Sequence, residues 1–322
     1  MKIILPANAF LGGHPSKNAF QVRIFSMNFL LSLAAAAARL LPAPLKKAIY
    51  RIGPLARLIR RALNRAAPQG LSQAVVAAGG LQGTTLLLDL QIEKDYWLGT
   101  YELELQQAVG QWIQPGMVVY DVGANVGYIS LLLARRVGPQ GQVFAFEPLP
   151  ANQERLRRNL ELATRPTPGQ NPPAFAPVTP VAAAVVDTPG PVRFLVHTST
   201  SMGKAAGSAG RAEEHYQSKL EVEGLTLDEF AYGAGGHAVP QAIKMDIEGG
   251  EVLALRGMVR LLCEARPLML VELHGPESAQ AAWQTLTAAG YTLRRMQPGY
   301  APVPSLEALD WKAYILATPA EI

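Results

Sequence analysis

The chain has 322 residues, 49% of them apolar, and a formal net charge of +4. This length and apolar content suffice for a large domain with a substantial hydrophobic core. The single cysteine, Cys263, excludes an intramolecular disulfide framework and a zinc site made of several thiolates.

Charge is distributed unevenly along the chain. The first 88 residues contain eleven Lys and Arg and no Asp or Glu, whereas the remaining residues contain 18 basic and 25 acidic side chains. The chain therefore divides into a basic arm and an acidic remainder. Nucleic acids bind to basic surfaces, and the larger, globular part of this chain is acidic. We therefore expect no nucleic-acid partner.

Residues 1–80 are predicted to form a basic extension that is partly disordered and partly helical. Its apolar run, residues 27–41, is about fifteen residues long, shorter than the roughly twenty that cross a bilayer, and a signal peptide is one alternative for it. Residues 44–65 mix apolar and basic side chains, so they can lie on an anionic membrane surface or dock on the domain with their basic face in solvent. We expect a cytoplasmic protein. Peripheral association through residues 27–65 would place it at the inner face of the membrane.

Residues 81–322 are predicted to form an α/β domain, because apolar patterns typical of strands and helices alternate along them. In chain order the predicted elements are strand 84–90, strand 117–120, helix 129–137, strand 142–146, helix 151–163, strands 178–186 and 192–196, strand 242–245, helix 251–263, strand 268–273, helix 278–289, and strands 291–295 and 311–318. This alternation predicts a mostly parallel sheet with helices on both faces. Residues 198–224 lack an apolar period over much of their length, and we expect them to form a mobile lid.

A turn that contains glycine follows the strand predicted at residues 117–120. Its pattern is D-x-G-x-N-x-G, from Asp121 through Gly123 and Asn125 to Gly127. Ligands of open α/β sheets bind at the carboxyl ends of the strands, so we expect this turn to contact a cofactor. We expect Gly123 to allow close approach of the ligand and Asp121 to bind its amino group. The spacing differs from the G-x-G-x-x-G pattern that holds a pyrophosphate, which favours a nucleoside without phosphates over NAD.

The strand predicted at residues 142–146 also ends in an acid, Glu147, which lies 24 residues after Gly123. An acid at this position can accept hydrogen bonds from both hydroxyls of a ribose. Pro148 is expected to restrict the turn that follows. The alternative is that Glu147 caps a helix or lies on the surface. The spacing from Gly123 favours the ribose contact.

Several charged residues follow the strand predicted at residues 242–245. Strand alternation places Lys244 and Asp246 on the same side of the sheet. Asp246 ends this strand, where it could take a proton from an acceptor hydroxyl or contact the cofactor. Glu248 and Glu251 are three residues apart at a helix start, where an acid stabilises the helix by about 0.3–1 kcal/mol. We therefore expect a structural role for these two.

Glu272 and His274 end the next strand and share a face because they are two residues apart. A histidine with a pKa near neutrality can take a proton from a hydroxyl during group transfer. Asp246, Glu272 and His274 are therefore the candidate catalytic residues. These residue types can also bind a metal ion, but we expect no metal at this site.

Taken together and in order, these motifs resemble the FkbM family of S-adenosylmethionine-dependent methyltransferases. The resemblance extends from about residue 95 to residue 275, and its main segments are residues 121–127, 144–148, 243–251 and 271–274. It implies the Rossmann-like class I methyltransferase fold and S-adenosylmethionine as methyl donor. It also implies O-methylation of a sugar, a glycolipid or a secondary metabolite, so the expected partner is a small-molecule or glycan acceptor. The expected cofactor-binding residues are Asp121, Gly123, Asn125, Gly127, Glu147 and Pro148.

Two other functions are compatible with such a sheet. A nicotinamide-dependent oxidoreductase would use a related fold, but the glycine spacing is wrong for its pyrophosphate. A catalytically silent, membrane-associated protein could keep the fold without the activity. The presence of Asp121, Gly123, Gly127 and Glu147 argues against that alternative.

Overall fold

The computed structural model describes residues 23–24, 29–41, 53–165, 174–197, 202–311 and 314–320. The described helices are α1 (Phe29–Leu40), α2 (Gly53–Ala66), α3 (Lys94–Leu98), α4 (Leu103–Trp112), α5 (Tyr128–Val137), α6 (Pro150–Thr164), α7 (Leu227–Tyr232), α8 (Glu251–Arg256) and α9 (Pro276–Ala288). The described strands are β1 (Arg23–Ile24), β2 (Leu71–Val75), β3 (Thr85–Asp89), β4 (Val118–Val122), β5 (Gln142–Phe146), β6 (Val178–Val181), β7 (Ala184–Val185), β8 (Gly190–His197), β9 (Gly203–Ala205), β10 (Tyr216–Leu225), β11 (Ala242–Met245), β12 (Leu268–Glu272), β13 (Tyr291–Arg295) and β14 (Tyr314–Pro319). The disorder predicted near the start of the chain falls mainly on residues outside these ranges.

Seven strands form the central sheet in the order β13-β14-β12-β11-β4-β5-β6. All are parallel except β14, which is antiparallel to both of its neighbours. The chain runs outward from β4 through β5 to β6, and it later returns to the other side of β4 with β11. At such a switch point the connections after two neighbouring strands diverge and leave a crevice at their carboxyl ends.

Two hydrophobic clusters cover the two faces of the central sheet. Alternate residues of β4 enter different clusters because successive side chains of a strand point to opposite faces. Val119 packs in the cluster that contains α4 and α5, whereas Tyr120 packs in the cluster that contains α8 and α9. Burial on both faces explains the nearly continuous apolar runs of the central strands. The predicted α/β fold with a mostly parallel sheet is confirmed.

The described part of the predicted basic extension packs on the same core. Leu31 of α1 and Leu63 of α2 are buried in the cluster that contains Val119. Strand β2 pairs antiparallel with β3, with Leu71 opposite Asp89. The predicted boundary between residues 80 and 81 therefore falls between two paired strands. Among the described helices, none is both long and apolar enough to cross a membrane.

A smaller sheet of four strands, in the order β7-β10-β8-β9, lies beside the crevice. Its longest strand, β10, pairs antiparallel with β8 from Tyr216 to Gly224. Residues 216–225 are therefore part of a sheet. The mobile lid predicted over residues 198–224 is wrong for the part that β10 occupies. Residues 198–201 lie outside the described ranges.

The helix predicted over residues 251–263 is shorter in the structure. Helix α8 ends at Arg256, and a π-helical segment follows at Leu261–Ala265. Gly257 separates the two because the chain there packs tightly against its surroundings: a Cβ on this residue would lie 2.2 Å from the carbonyl oxygen of Val186.

Candidate active site

A cavity of about 260 Å³ lies at the switch point, beside the carboxyl ends of β4, β5 and β11. The predicted site residues that line it are Gly123, Asn125, Glu147, Pro148 and Asp246. Those that do not line it are Asp121, Gly127, Glu272 and His274. The cavity therefore brings the glycine turn, the acid after β5 and the acid after β11 into one space.

Glu147 is held in one orientation at the cavity wall and is only 5% exposed. Its Oε2 accepts a hydrogen bond from the backbone N–H of Asn125 at 2.9 Å, and its Oε1 accepts one from the backbone N–H of Leu149 at 2.9 Å. The side-chain amide of Asn152 donates to Oε1 at 3.3 Å. Because each carboxylate oxygen has two lone pairs, Oε2 retains a lone pair with which to accept a hydrogen bond from a ligand.

The protonation of Glu147 is sensitive to its surroundings. Burial raises the pKa of Glu147 to about 7, and the hydrogen bonds from Leu149, Asn152 and Asn125 offset part of this shift. Ligand hydroxyls that donate to the carboxylate favour its ionised form. Binding of such a ligand should therefore strengthen as the pH rises through 7.

Asp121 is completely buried and does not line the cavity. The hydroxyl of Ser130 donates to its Oδ2 at 2.6 Å, and its Oδ1 lies 3.3 Å from Nζ of Lys244. Both carboxylate oxygens therefore face other protein groups. The predicted contact between Asp121 and the amino group of a cofactor stays a prediction.

Lys244 lines the cavity, although its place in the sequence predicted no role for it. Its Nζ donates to the carbonyl oxygen of Gly123 at 3.0 Å and lies 3.9 Å from Oδ2 of Asp246. Burial lowers the pKa of Lys244, but the carboxylates of Asp121 and Asp246 more than offset this and raise it above its usual value. The cation thus links the two acids that end β4 and β11. Strand alternation in β11 already predicted that Lys244 and Asp246 share a side of the sheet, and this pattern could have identified Lys244 as a site residue.

The two glycines of the turn allow close packing within the protein. Gly123 has a φ of +83°, and a Cβ on it would lie 1.9 Å from the carbonyl oxygen of Asp246. Gly127 has a φ of +89°, and a Cβ on it would lie 2.5 Å from Cδ1 of Leu156. Gly123 also lines the cavity, and the close approach of a ligand to its backbone stays a prediction. Gly127 lets the start of α5 approach α6 and does not line the cavity.

Three tyrosines form an aromatic wall of the cavity that the sequence did not reveal. Tyr96 stacks on Tyr128 with ring centroids 4.7 Å apart, and Tyr101 meets Tyr96 edge-on at 4.5 Å. All three line the cavity. They come from α3, the segment after it and the start of α5, so neither a motif nor a regular spacing connects them in the sequence.

Beside the cavity lies a group that we call the acidic cluster, which consists of Asp246, Glu248, Glu272 and His274. Nε2 of His274 lies 3.7 Å from Oδ1 of Asp246. It lies 3.9 Å from Oε2 of Glu248 and 3.9 Å from Oε1 of Glu272. The structure thus brings the three predicted catalytic residues together. Asp246 and Glu248 also line the cavity, so the cluster and the cavity are continuous.

Glu251 lies behind the acidic cluster and is fully buried. Its Oε1 is 3.1 Å from Nδ1 of His274, and its Oε2 accepts a hydrogen bond from the hydroxyl of Ser278 at 2.9 Å. These contacts agree with the structural role predicted for Glu251. Glu248 differs, because it faces His274 from a left-handed backbone conformation with a φ of +55°.

The protonation of His274 differs from the prediction. Burial lowers the pKa of His274, but the hydrogen bond and charge of Glu251, with the charges of Asp246 and Glu272, raise it to about 9. A pKa of about 9 lies above the near-neutral value expected from the sequence and favours the protonated imidazole when no other cation is near. The catalytic role of His274 stays a prediction.

Glu272 is also shifted from its usual titration range. Burial and repulsion from Asp246 raise the pKa of Glu272 to about 8, although the hydroxyl of Tyr314 donates to its Oε2 at 2.5 Å. Among the three predicted catalytic residues, Asp246 is the one that lines the cavity.

The fold and the site together define a class of protein. A mostly parallel seven-stranded sheet with one antiparallel strand, and a cavity between a glycine turn and an acid at the end of the next strand, form the nucleotide-binding arrangement of class I methyltransferases. The model of the methyltransferase FkbM domain matches residues 121–293, more than half of the chain. The chain belongs to this family, and the resemblance stated from its motifs is confirmed.

Curated relatives match over different lengths. The hexuronic acid methyltransferase AglP of Haloferax volcanii is 26% identical over 157 residues, which cover 49% of this chain and 56% of that protein. Methyltransferase 1 of Beauveria bassiana is 25% identical over 210 residues, which cover 62% of this chain and 79% of that protein. A protein-L-isoaspartate O-methyltransferase of Aeropyrum pernix is 54% identical over 48 residues, 15% of this chain and 18% of that protein. The chain thus spans well under two thirds of two of these three relatives.

Among solved structures, the methyltransferase FkbM of Methylobacillus flagellatus is similar, with a TM-score of 0.41 and 15% identity. The match covers 82% of this chain and 60% of that one.

Family membership gives S-adenosylmethionine as the cofactor, as predicted, and the cavity residues fit it. Glu147 presents an oriented carboxylate at the end of β5, where ribose hydroxyls can donate to it. Oδ1 of Asn125 is buried at the same wall without a hydrogen-bond partner among the described residues, so a ligand donor could satisfy it. The aromatic wall adds apolar surface for the nucleoside.

Proposed function

We propose that the protein transfers the methyl group of S-adenosylmethionine to a hydroxyl group of a sugar, a glycolipid or a secondary metabolite. The observation that carries this proposal is the position of Asp246. This residue belongs both to the lining of the cofactor cavity and to the acidic cluster. An acceptor that contacts Asp246 would lie beside the bound cofactor.

The chemistry divides between alignment and proton removal. The cofactor supplies a methyl group on a sulfonium, which is a good leaving group, so the protein mainly has to align the acceptor. A hydroxyl acceptor must also lose its proton as the new bond forms. We assign this proton to Asp246, because among Asp246, Glu272 and His274 it is the one that lines the cofactor cavity.

A sugar acceptor is supported by the relative from Haloferax volcanii, whose name describes methylation of a hexuronic acid. Methylation of a carboxylate is the second candidate, since the relative from Aeropyrum pernix acts on isoaspartate. That relative matches only 15% of this chain, so we favour the hydroxyl.

The linkage of the transferred methyl group separates these two candidates. Full-length protein is incubated with methyl-labelled S-adenosylmethionine and glucuronic acid, with glucose as an acceptor that lacks a carboxylate. We expect label in a product that survives mild alkali, because a methyl ether is stable where a methyl ester is hydrolysed. Label that alkali releases would show carboxylate methylation. If the cofactor binds but no hydroxyl compound is methylated, the proposed hydroxyl acceptor is refuted and cofactor binding is not.

We also propose that the amino-terminal helices bind an anionic membrane surface. Arg57, Arg61 and Arg65 of α2 are exposed and four residues apart, so they lie along one side of the helix. In α1, Phe29 is 81% exposed and Leu40 is 82% exposed. Exposed apolar side chains on one helix and a row of arginines on the next are both features of segments that bind to a lipid surface.

Vesicle sedimentation tests the membrane proposal with substitutions, because removal of residues 1–80 would also remove β2. We expect the full chain to sediment with phosphatidylserine vesicles and to be released by salt, which screens surface charge within about 10 Å. The triple variant Arg57→Gln/Arg61→Gln/Arg65→Gln should remain in solution. A matched triple variant of exposed residues elsewhere, Arg157→Gln/Arg256→Gln/Arg260→Gln, should sediment like the original protein. Equal sedimentation of the two triple variants with the vesicles would refute the membrane proposal.

A further inference from the structure

We propose that the acidic cluster is a binding site for a divalent metal ion of the Mn²⁺ type. The ligands are Nε2 of His274 and one carboxylate oxygen each from Asp246 and Glu272, with Glu248 adjacent. The sequence alone led us to expect no metal here. The geometry leads to the opposite conclusion.

The spacing of the ligand atoms is the first argument. Nε2 of His274 lies 3.7 Å from Oδ1 of Asp246 and 3.9 Å from Oε1 of Glu272, and the ligand atoms of all three residues lie within 4.8 Å of one another. These separations are too long for hydrogen bonds between the groups. A divalent ion bonded at about 2.2 Å to each of two neighbouring ligands sets them about 3–4 Å apart. The three atoms therefore surround a space of the right size for an ion.

In His274 and Glu272, a neighbouring side chain holds the atom opposite the ligand atom. Nδ1 of His274 is 3.1 Å from the buried carboxylate of Glu251, so its N–H is directed there and Nε2 is left facing the cluster. The hydroxyl of Tyr314 donates to Oε2 of Glu272 at 2.5 Å, which leaves Oε1 facing His274. Metal ligands in proteins are oriented in this manner by carboxylates and other hydrogen-bonding groups behind them.

Charge and access complete the argument. Asp246, Glu248 and Glu272 converge on one imidazole ring, and a divalent cation would neutralise the repulsion among the three carboxylates. The side chains of His274 and Asp246 are each 19% exposed, and that of Glu272 is 25% exposed. The cluster is therefore open enough for water or an acceptor hydroxyl to complete the coordination.

The donor set favours a hard ion that also accepts imidazole. Carboxylate oxygens suit Mg²⁺, Ca²⁺ and Mn²⁺, whereas imidazole nitrogen suits transition metals, and Mn²⁺ satisfies both requirements. An ion bound here would lower the pKa of a coordinated hydroxyl, because a metal stabilises the deprotonated oxygen. The catalytic consequence depends on the proposed function, but ion binding itself can be measured without turnover.

Titration of the full chain with Mn²⁺, followed by the electron paramagnetic resonance signal of the free ion, tests the proposal. We expect saturable binding of one ion. Glu272→Gln and His274→Ala should each weaken binding at least tenfold. Glu251→Gln alters the group that orients His274 and that also accepts hydrogen bonds from the backbone N–H of Ile247 and the hydroxyl of Ser278. It should weaken binding about 10- to 100-fold. Glu264→Gln removes an exposed carboxylate paired with Arg260 and should leave Mn²⁺ affinity unchanged.

Each variant is also titrated with S-adenosylhomocysteine to show that it is folded. Absence of saturable Mn²⁺ binding by the original protein would overturn the metal site. So would folded Glu272→Gln and Glu251→Gln variants that bind Mn²⁺ as tightly as the original protein. If S-adenosylhomocysteine binds and Mn²⁺ does not, the metal site alone fails. If Mn²⁺ binds and S-adenosylhomocysteine does not, the proposed methyltransferase function alone fails.

Discussion

The cofactor side and the acceptor side of the site are built by different means. On the cofactor side, backbone N–H groups orient Glu147, and the turn at Gly123 packs against the backbone of Asp246. On the acceptor side, side chains orient one another, as Glu251 does for His274 and Tyr314 does for Glu272.

This difference has a physical consequence. Backbone geometry follows from the local sequence and the strand order, so the cofactor side is set once the sheet forms. Side-chain contacts depend on every neighbour, so one substitution on the acceptor side can change charge and position together. We therefore expect acceptor-side variants to affect turnover and cofactor-side variants to affect folding or cofactor binding.

The largest effect is expected from Asp246→Asn. Loss of the group that takes the acceptor proton should lower turnover about 10²- to 10⁴-fold. Affinity for S-adenosylhomocysteine should change little, because Asn is similar in size and the ribose contacts lie at Glu147. Steady-state kinetics and calorimetry check the two quantities. Asp187→Asn, a carboxylate near Arg256 outside the cavity lining, serves as the control and should keep full turnover. Full turnover of Asp246→Asn would remove this residue as the proton acceptor.

Substitution of Gly123 should affect folding. Gly123→Ala combines a positive φ with a Cβ 1.9 Å from the carbonyl oxygen of Asp246, and we expect the free energy of unfolding to fall by about 2–4 kcal/mol. Gly116→Ala is the matched control, since its φ is +85° and no atom lies within 4 Å of the added Cβ. It should cost about 1 kcal/mol. Urea denaturation measures both, and equal losses would show that the contact with Asp246 does not constrain the turn.

Glu147→Ala should weaken binding of S-adenosylhomocysteine by about 1–3 kcal/mol, because hydrogen bonds to a charged group are lost. The control is Glu161→Ala, an exposed acid on α6 whose side chain pairs with Arg158. Isothermal titration calorimetry compares the two variants. Unchanged affinity in Glu147→Ala would refute the contact with the ribose.

The smallest effect is the pH dependence of cofactor binding. Burial raises the pKa of Glu147 to about 7, and a ligand whose hydroxyls donate to the carboxylate binds the ionised form. Affinity for S-adenosylhomocysteine should therefore be highest above pH 7 and should fall by up to about tenfold per pH unit below it. Glu147→Gln should bind more weakly but lose this dependence between pH 6 and 8. A slope that persists in this variant would assign the titration to another group.

The sequence was sufficient to predict the fold and much of the cofactor side. Apolar runs followed by Asp121, Glu147 and Asp246 predicted strand ends that meet at one edge of a parallel sheet, and the structure places them there. The contact made by Asp121 could not be predicted, because it depends on the register that sets Asp121 beside Lys244.

The acceptor side was less predictable for the same physical reason. Proximity of Asp246, Glu272 and His274 followed from strand ends, but the pKa of His274 depends on Glu251, 23 residues earlier in the chain. Strand β10 was missed because its exposed face carries Lys219 among other polar residues, so its apolar alternation is weak.

The central claim is that the cavity at the switch point holds S-adenosylmethionine and not a nicotinamide cofactor. Calorimetric titration of the full chain with S-adenosylhomocysteine and with NAD tests it most directly. The structure predicts binding of one S-adenosylhomocysteine per chain and no measurable heat with NAD. Saturable binding of NAD with no binding of S-adenosylhomocysteine would contradict the claim.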